Sequence, residues 1–254
     1  MAAMVRAELL KLRRSRSVLL GALATVLGLP LGLLAMIAVV GQLPVDGGEF
    51  AEKCAEVLLG PGLIGATLIG VAAGSGDRTA GVLPVLAATG RPRGQLLLAR
   101  IPAVLVATAA LSLAFWVVAC ALGLVLHGGA GTTTGAPALT GAEALDLLPR
   151  IVAVDVVVGV GALGLCTAGL GAAPAVAGIL ALTLGVLPMA AAAERTPDWF
   201  LALMPPLSTT ELVGGRTFMG DLGAIPDGWA AAGVALWTAG GLLLARARFA
   251  RADV

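Results

Sequence analysis

Charge is scarce in this sequence. Only 12% of its residues are Asp, Glu, Lys or Arg, about half the share of a soluble domain, and that scarcity excludes an ordinary water-facing surface. The net charge of +1 leaves no acidic or basic excess that would point to nucleic acid. Tyrosine is absent and there are four tryptophans, so any aromatic belt at a membrane interface is thin. The three cysteines, Cys54, Cys120 and Cys166, are far apart. They form neither a zinc spacing nor a disulfide framework and read as small apolar filler. Neither lysine, Lys11 nor Lys53, follows a glycine. The Gly-x-x-x-x-Gly-Lys-Ser/Thr phosphate loop is therefore missing, and ATP hydrolysis by that route with it. No metal, cofactor or catalytic residue is expected.

What fills the chain instead is long apolar runs. Hydrophobic residues make up 59% of it, and a helix needs about 20 of them in a row to cross roughly 30 Å of hydrocarbon. Runs of that kind lie near 18–41, 57–75, 101–126, 151–171, 174–193 and 228–246. The stretch from Val156 to Ala193 holds no charge. As one straight helix it would measure about 57 Å, nearly twice the hydrocarbon thickness, so Gly171-Ala172-Ala173-Pro174 reads as a turn between two spans. The first run follows a basic start and is too long for the core of a secretory signal; it reads as a retained span. The fold class is an all-α, polytopic integral membrane protein with six transmembrane helices.

Basic residues orient it. With the amino terminus inside, twelve Lys and Arg fall on inside segments and four (Lys53, Arg150, Arg195 and Arg216) on outside ones, a strong positive-inside bias. Both termini are then cytosolic. Before the first span, Val5, Leu9 and Leu12 share one helical face and Arg6, Lys11, Arg13, Arg14 and Arg16 crowd the rest, which predicts a short amphipathic helix along the inner leaflet. Pro30, Pro61 and Pro188 mark sites of kinking. Gly28-x-x-x-Gly32 and Gly70-x-x-x-Gly74 permit close helix packing.

The inside segment 77–100 is the most informative. It begins with the charged pair Asp77-Arg78, continues through an apolar stretch with Leu83 and Leu86 three apart, and ends in a Gly/Pro/Arg turn before Arg100. Apolar residues on a short cytosolic loop need a cover, either a protein partner or the leaflet. Asp77, Arg78, Gly81, Leu83, Leu86, Thr89, Arg93 and Arg100 match in order and spacing the corresponding loop of the ABC type-2 (ABC-2) permeases, the membrane components of bacterial ATP-binding-cassette exporters, and the chain resembles that family. Val82 stands where the family has threonine and Gly90 where it has proline; Pro84 replaces a commonly polar residue. The start Glu8-Leu9-x-Lys11-Leu12-Arg13-Arg14-Ser15 is similar to the family's cytosolic helix ahead of the first span. The resemblance implies a single permease domain, 1–254, in the cell (plasma) membrane. It implies a second permease subunit, in a homo- or heterodimer around the translocation path, and a separate cytosolic ABC ATPase as partner. The loop would act as the coupling helix: Asp77 and Arg78 would make polar contacts with the ATPase, and Leu83 and Leu86 would insert into it. The outer loop 194–227, with Trp199, Phe200, Leu201, Leu203 and Met204 before Pro205-Pro206, would dip back into the membrane or anchor at its surface.

Three other readings compete. A serine hydrolase would need a base within about 3 Å of its nucleophile, yet His127, the only histidine, lies at the outer end of the third span and Ser75 at the inner end of the second. An ion-coupled secondary transporter would place ionisable groups inside spans; the one clear candidate is Asp155, about five residues into the fourth span, where it would line the pathway or make an interfacial or helix contact, with Arg150 at the same end. A non-transporting immunity or scaffold protein is the third. Substrate is not legible in spans so uniformly apolar. The even number of crossings makes a direct prediction: a reporter fused after Val254 is active in the cytosol and silent outside, and external activity would refute the six-span layout.

Overall fold

The computed structural model describes residues 2–40, 54, 63–81, 93–129, 141–169, 171–181, 199 and 227–251. Among these every regular element is helical and there is no strand. In order they are α1 (Ala2–Arg14), α2 (Arg16–Leu23), a π-helical turn (Ala24–Gly28), α3 (Leu29–Val40), α4 (Leu63–Thr79), α5 (Arg93–Gly129), α6 (Gly141–Thr167), α7 (Ala172–Leu180) and α8 (Asp227–Arg251). Leu83, Leu86, Thr89, Pro61, Pro188 and most of the expected outer loop 194–227 lie outside the described residues.

Helix α1 ends with Lys11, Arg13 and Arg14 in its last turn, where cations complement the exposed carbonyls. Ser15 then takes an extended conformation (φ −72°, ψ 118°) and starts α2. From there α2, the π turn and α3 run on without a break. Pro30 follows the π turn by two residues. A proline ring collides with the carbonyl four residues earlier in a regular helix, and a widened turn just ahead of it is a common accommodation. The amphipathic pattern of α1 forms as predicted, with one difference. Its apolar face is turned inward: Leu12 is buried, and Val5 and Leu9 pack with Ala73, Ile101, Ala103 and Val104. The leaflet is not needed to cover it.

Among the described residues, two helices are long and apolar enough to cross a bilayer by length and composition, Arg16–Ala35 and Gln95–Leu124. Shorter apolar stretches run over Leu63–Asp77, Ile151–Thr167 and Gly228–Leu243. The helices extend past the hydropathic runs at several ends: α5 begins at Arg93 rather than near 101, and α6 at Gly141 rather than near 151. The polar turns of a helix can project beyond the hydrocarbon, where hydropathy no longer reports them. The break expected at 171–174 is present but falls earlier: α6 stops at Thr167, Gly169 takes φ +112°, Gly171 is extended, and 172–174 already form the first turn of α7, where Pro174 is tolerated.

The distribution of side chains is inside-out. Leu19, Leu20, Leu23, Leu27 and Leu31 face outward from α2, the π turn and α3, as do Leu105, Val106, Leu113, Val117 and Leu124 from α5. Polar side chains are inside: Thr67, Ser75, Thr108, Ser112, Asp155 and Thr167 are buried. Four of their hydroxyls donate to the carbonyl one turn back, Thr67 to Leu63, Ser75 to Val71, Thr108 to Val104 and Thr167 to Leu163, at 2.6–2.8 Å. Helical sections can thus hold hydroxyls without exposing an unmet donor.

Helix α4 is the centre. Leu63, Ala66, Thr67, Ile69, Val71, Ala73, Ser75 and Asp77 are all buried, and the helix touches α2, α5, α6 and α7. Its most extensive contact is with α6, and glycines make that contact possible. A methyl group at Gly70 would collide with the Gly159 carbonyl and stand 2.7 Å from Ala162 Cβ; one at Gly74 would stand 2.6 Å from Cys166 Cβ. Gly164 makes the same kind of approach to Gly241 of α8. Gly32, by contrast, has no neighbour within 4 Å among the described residues, and the Gly28/Gly32 pair makes no close helix packing among them. Gly70→Ala is expected to cost about 1–3 kcal/mol through overpacking. Gly161→Ala, with nothing within 4 Å, should be neutral or gain up to about 1 kcal/mol from helix propensity. Thermal unfolding of the detergent-solubilised chain compares the two; equal behaviour would remove the special role of the α4–α6 approach.

Candidate functional site

Three helix ends meet at one end of the bundle. Helix α1 brings Glu8 and Lys11, the end of α4 brings Asp77, and the first turns of α5 bring Arg100. Asp77 accepts through both oxygens: Lys11 Nζ donates to Oδ1 at 2.8 Å and an Arg100 guanidinium nitrogen to Oδ2 at 2.5 Å. Lys11 Nζ also donates to Glu8 Oε1 at 2.8 Å. The side chains of Asp77 and Arg100 are 9% and 2% exposed, whereas Lys11 keeps 48% of its surface. A buried carboxylate therefore ties together segments 66 and 23 residues away in sequence.

Charge, not burial, decides the state of these groups. Burial by itself would raise the Asp77 carboxyl; hydrogen bonds and charge from Lys11 and Arg100 outweigh it and hold Asp77 below the ordinary carboxylate value. Burial would likewise lower the Lys11 ammonium, yet the bonds to Asp77 and Glu8 leave it above its usual value. Asp77 and Lys11 therefore both keep their charge through the physiological range.

Local structure explains the placement. Asp77 lies beyond the expected 57–75 span, in the last turn of α4. Thr79 Oγ1 donates to the Ser75 and Gly76 carbonyls at 3.2 and 3.0 Å, and the Ala80 amide donates to the Gly76 carbonyl at 3.0 Å. Gly81 then takes φ +66°, a left-handed conformation that favours glycine after a helix. Among the coupling-loop residues, Asp77 is thus turned inward rather than presented at the surface, Gly81 is the exposed stop of α4, and Arg93 opens α5. The backbone of Arg78 is helical, but its side chain, like that of Arg93, lies outside the described residues. The structure joins Asp77 to Arg100, the first and last charges of the segment, and adds Lys11. The i, i+3 spacing of Glu8 and Lys11 was the only sequence signal for that third member.

Asp155 lies elsewhere, deep between α5 and α6. It is 1% exposed and close to the midpoint of α6, which begins ten residues before the apolar run; within the apolar stretch Ile151–Thr167 it is the fifth residue. Ser112 Oγ stands 2.5 Å from its Oδ2. No sequence signal marked Ser112, a lone hydroxyl in an apolar helix. Phe115, Trp116, Ala119 and Ile151 belong to one buried apolar cluster, and Val104, Leu111, Val160 and Leu163 to another. Cys54, Cys120 and Cys166 are free thiols, and burial pushes Cys54 up to about 12, as suits an inert side chain.

An all-helical bundle with large apolar side chains on its exterior, hydroxyls and a carboxyl held within its apolar core, and two membrane-length helices among the described residues has the character of a helical membrane protein. The sequence profile of the ABC-2 family transporter proteins matches residues 4–186. The chain belongs to that family, a class of membrane transport component, and the match spans the clasp and Asp155 alike. No curated protein sequence matches the chain.

The clasp makes two predictions. Asp77→Ala removes the acceptor between a buried arginine and a lysine and should cost roughly 3–5 kcal/mol, as does breaking one side of a buried pair; Lys11→Ala, on the half-exposed side, should cost about 1 kcal/mol or less. Denaturation in detergent measures both. The pH dependence follows from the shifts. Asp77, lowered on folding, contributes stability above about pH 4 that is lost as pH falls further. Lys11, raised on folding, contributes below about pH 10 and loses that contribution above it. The protection factors of the α1 amides, with the base-catalysed intrinsic rate divided out, should therefore be flat between those limits and fall outside them; a step between pH 6 and 8 would contradict the assignment.

Proposed function

We propose that this chain is the membrane-spanning permease subunit of an ATP-binding-cassette exporter in a bacterial cell membrane. It crosses the bilayer six times with both termini in the cytosol, forms the translocation path with a second permease subunit, and is driven by a separate cytosolic ATPase. Family membership supports the transport role, and the missing phosphate loop puts hydrolysis on another polypeptide.

The observation that carries the mechanical part is the clasp. Residues 82–92 connect two helices whose adjoining ends are held to each other by Asp77 and Arg100 and to α1 by Lys11. A push on that segment acts on α4 and α5 together, and α4 is the central helix of the bundle. In this reading Asp77 is a strut within the permease. The ATPase contacts belong to Leu83 and Leu86, with Arg78, Thr89 and Arg93 beside them and Gly81 as the hinge into the segment. ATPase closure then biases the exposure of the path by differential binding to its two states.

Leu86→Glu tests it. A buried charge without a partner disfavours the contact, so the variant should insert normally while losing co-purification with the ATPase and transport-linked hydrolysis. Unchanged assembly and transport would overturn the coupling role of this segment.

A further inference from the structure

The pair Asp155–Ser112 has an uneven count of protons and acceptors. Ser112 Oγ lies 2.9 Å from the Thr108 carbonyl and 2.5 Å from Asp155 Oδ2. A serine hydroxyl carries one proton, and a backbone carbonyl only accepts. If Asp155 were a carboxylate, both neighbours of Ser112 would be acceptors competing for that proton. If Asp155 carries a proton on Oδ2, the chain closes: the acid donates to Ser112 and Ser112 donates to Thr108. The hydroxyl of Thr108 is committed to the Val104 carbonyl at 2.8 Å and does not compete. Asp155 Oδ1 is buried and meets no donor of the chain, a position costly for a charged oxygen and milder for a neutral one.

The fold holds this pair away from charge. Gly159, one turn after Asp155, lets α5 come close: a methyl group there would stand 2.7 Å from Thr108 Cγ2. Residues 108 and 112 of α5 thus oppose 159 and 155 of α6. From the elements packed on α6, the charged side chains described are Asp77 on α4, Arg100 on α5 and Arg246 on α8; α7 contributes none. Arg100 is twelve residues before Ser112 on α5, about 18 Å along the axis, and Asp77 and Arg246 sit toward helix ends. On α6 itself Arg150 precedes Asp155 by five residues, about 140° around the helix, and Asp155 has no ion pair.

We propose that Asp155 and Ser112 form a proton-binding site at mid-depth in the bundle, in which Asp155 is a neutral carboxylic acid donating to Ser112. The proton is the ligand. It leaves only to water that reaches Oδ1 or Oδ2 as α5 and α6 separate, giving a carboxylate and one hydronium per chain. Opening of this helix pair is then linked to release of one proton. The inference stands apart from the exporter reading, because it concerns one chain at rest.

Infrared spectra of the full chain in lipid nanodiscs at neutral pH test it. The wild-type minus Asp155→Asn difference should show the carbonyl stretch of a protonated carboxylic acid lost in the variant; loss of carboxylate bands instead overturns the proposal. Ser112→Ala is the second variant and keeps the test open if Asp155→Asn fails to fold. It should retain the carboxylic band but displace it toward a weaker hydrogen bond, and a band that does not move overturns the donation to Ser112.

Discussion

The backbones of α4 and α6 approach closely because Gly70, Gly74 and Gly159 have no side chains to hold them apart, and the other contacts are arranged around that approach. It covers α4 on all but the face of Ile64, Leu68, Ala72 and Gly76, which is half-buried, and small and apolar residues fill the helix almost to its end. It leaves Asp77 buried in the last turn, where a carboxylate without partners is untenable. Lys11 and Arg100 answer that need from two other helices. The same glycine set draws α5 toward α6 and brings Ser112 to Asp155. Backbone proximity thus sets up both polar sites.

The two sites solve one problem by different chemistry. At the end of the bundle, water reaches Lys11 and cations are at hand, so Asp77 is held as an anion. At mid-depth there is neither water nor a facing cation among the described groups, and a neutral acid donating to a hydroxyl is the alternative. The clasp joins α1, α4 and α5, and these pack through one apolar cluster that includes Leu12, Ile69, Ala103 and Val104.

How much of this the residue order announced can be argued site by site. The apolar runs announced helices because hydrocarbon demands about 20 residues per crossing, and the positive-inside bias and the family resemblance through Asp77, Arg78, Gly81 and Arg100 were legible for the same kind of reason: each is a local pattern. The helix ends were not, since α5 and α6 continue through polar turns that a hydropathy window reads as loop. Asp155, five residues into its apolar stretch, thus stands near the middle of the whole helix. The inward face of α1 was equally hidden, because an amphipathic pattern states that one face needs cover without stating which surface provides it.

Composition and periodicity by themselves therefore determined a helical membrane protein, and the residues of the charged segment after the second apolar run carried the resemblance to the ABC-2 family. Only the tertiary structure decided which charges meet. Lys11, Asp77 and Arg100 are brought together across 66 and 23 residues, and Ser112 reaches Asp155 across 43, through helix crossings set by where glycines permit contact. Sequence spacing encodes the face on which a residue lies along its own helix. It does not encode the rotation and depth at which two helices pack, and those two quantities decide whether a buried carboxyl finds a cation or must keep its proton.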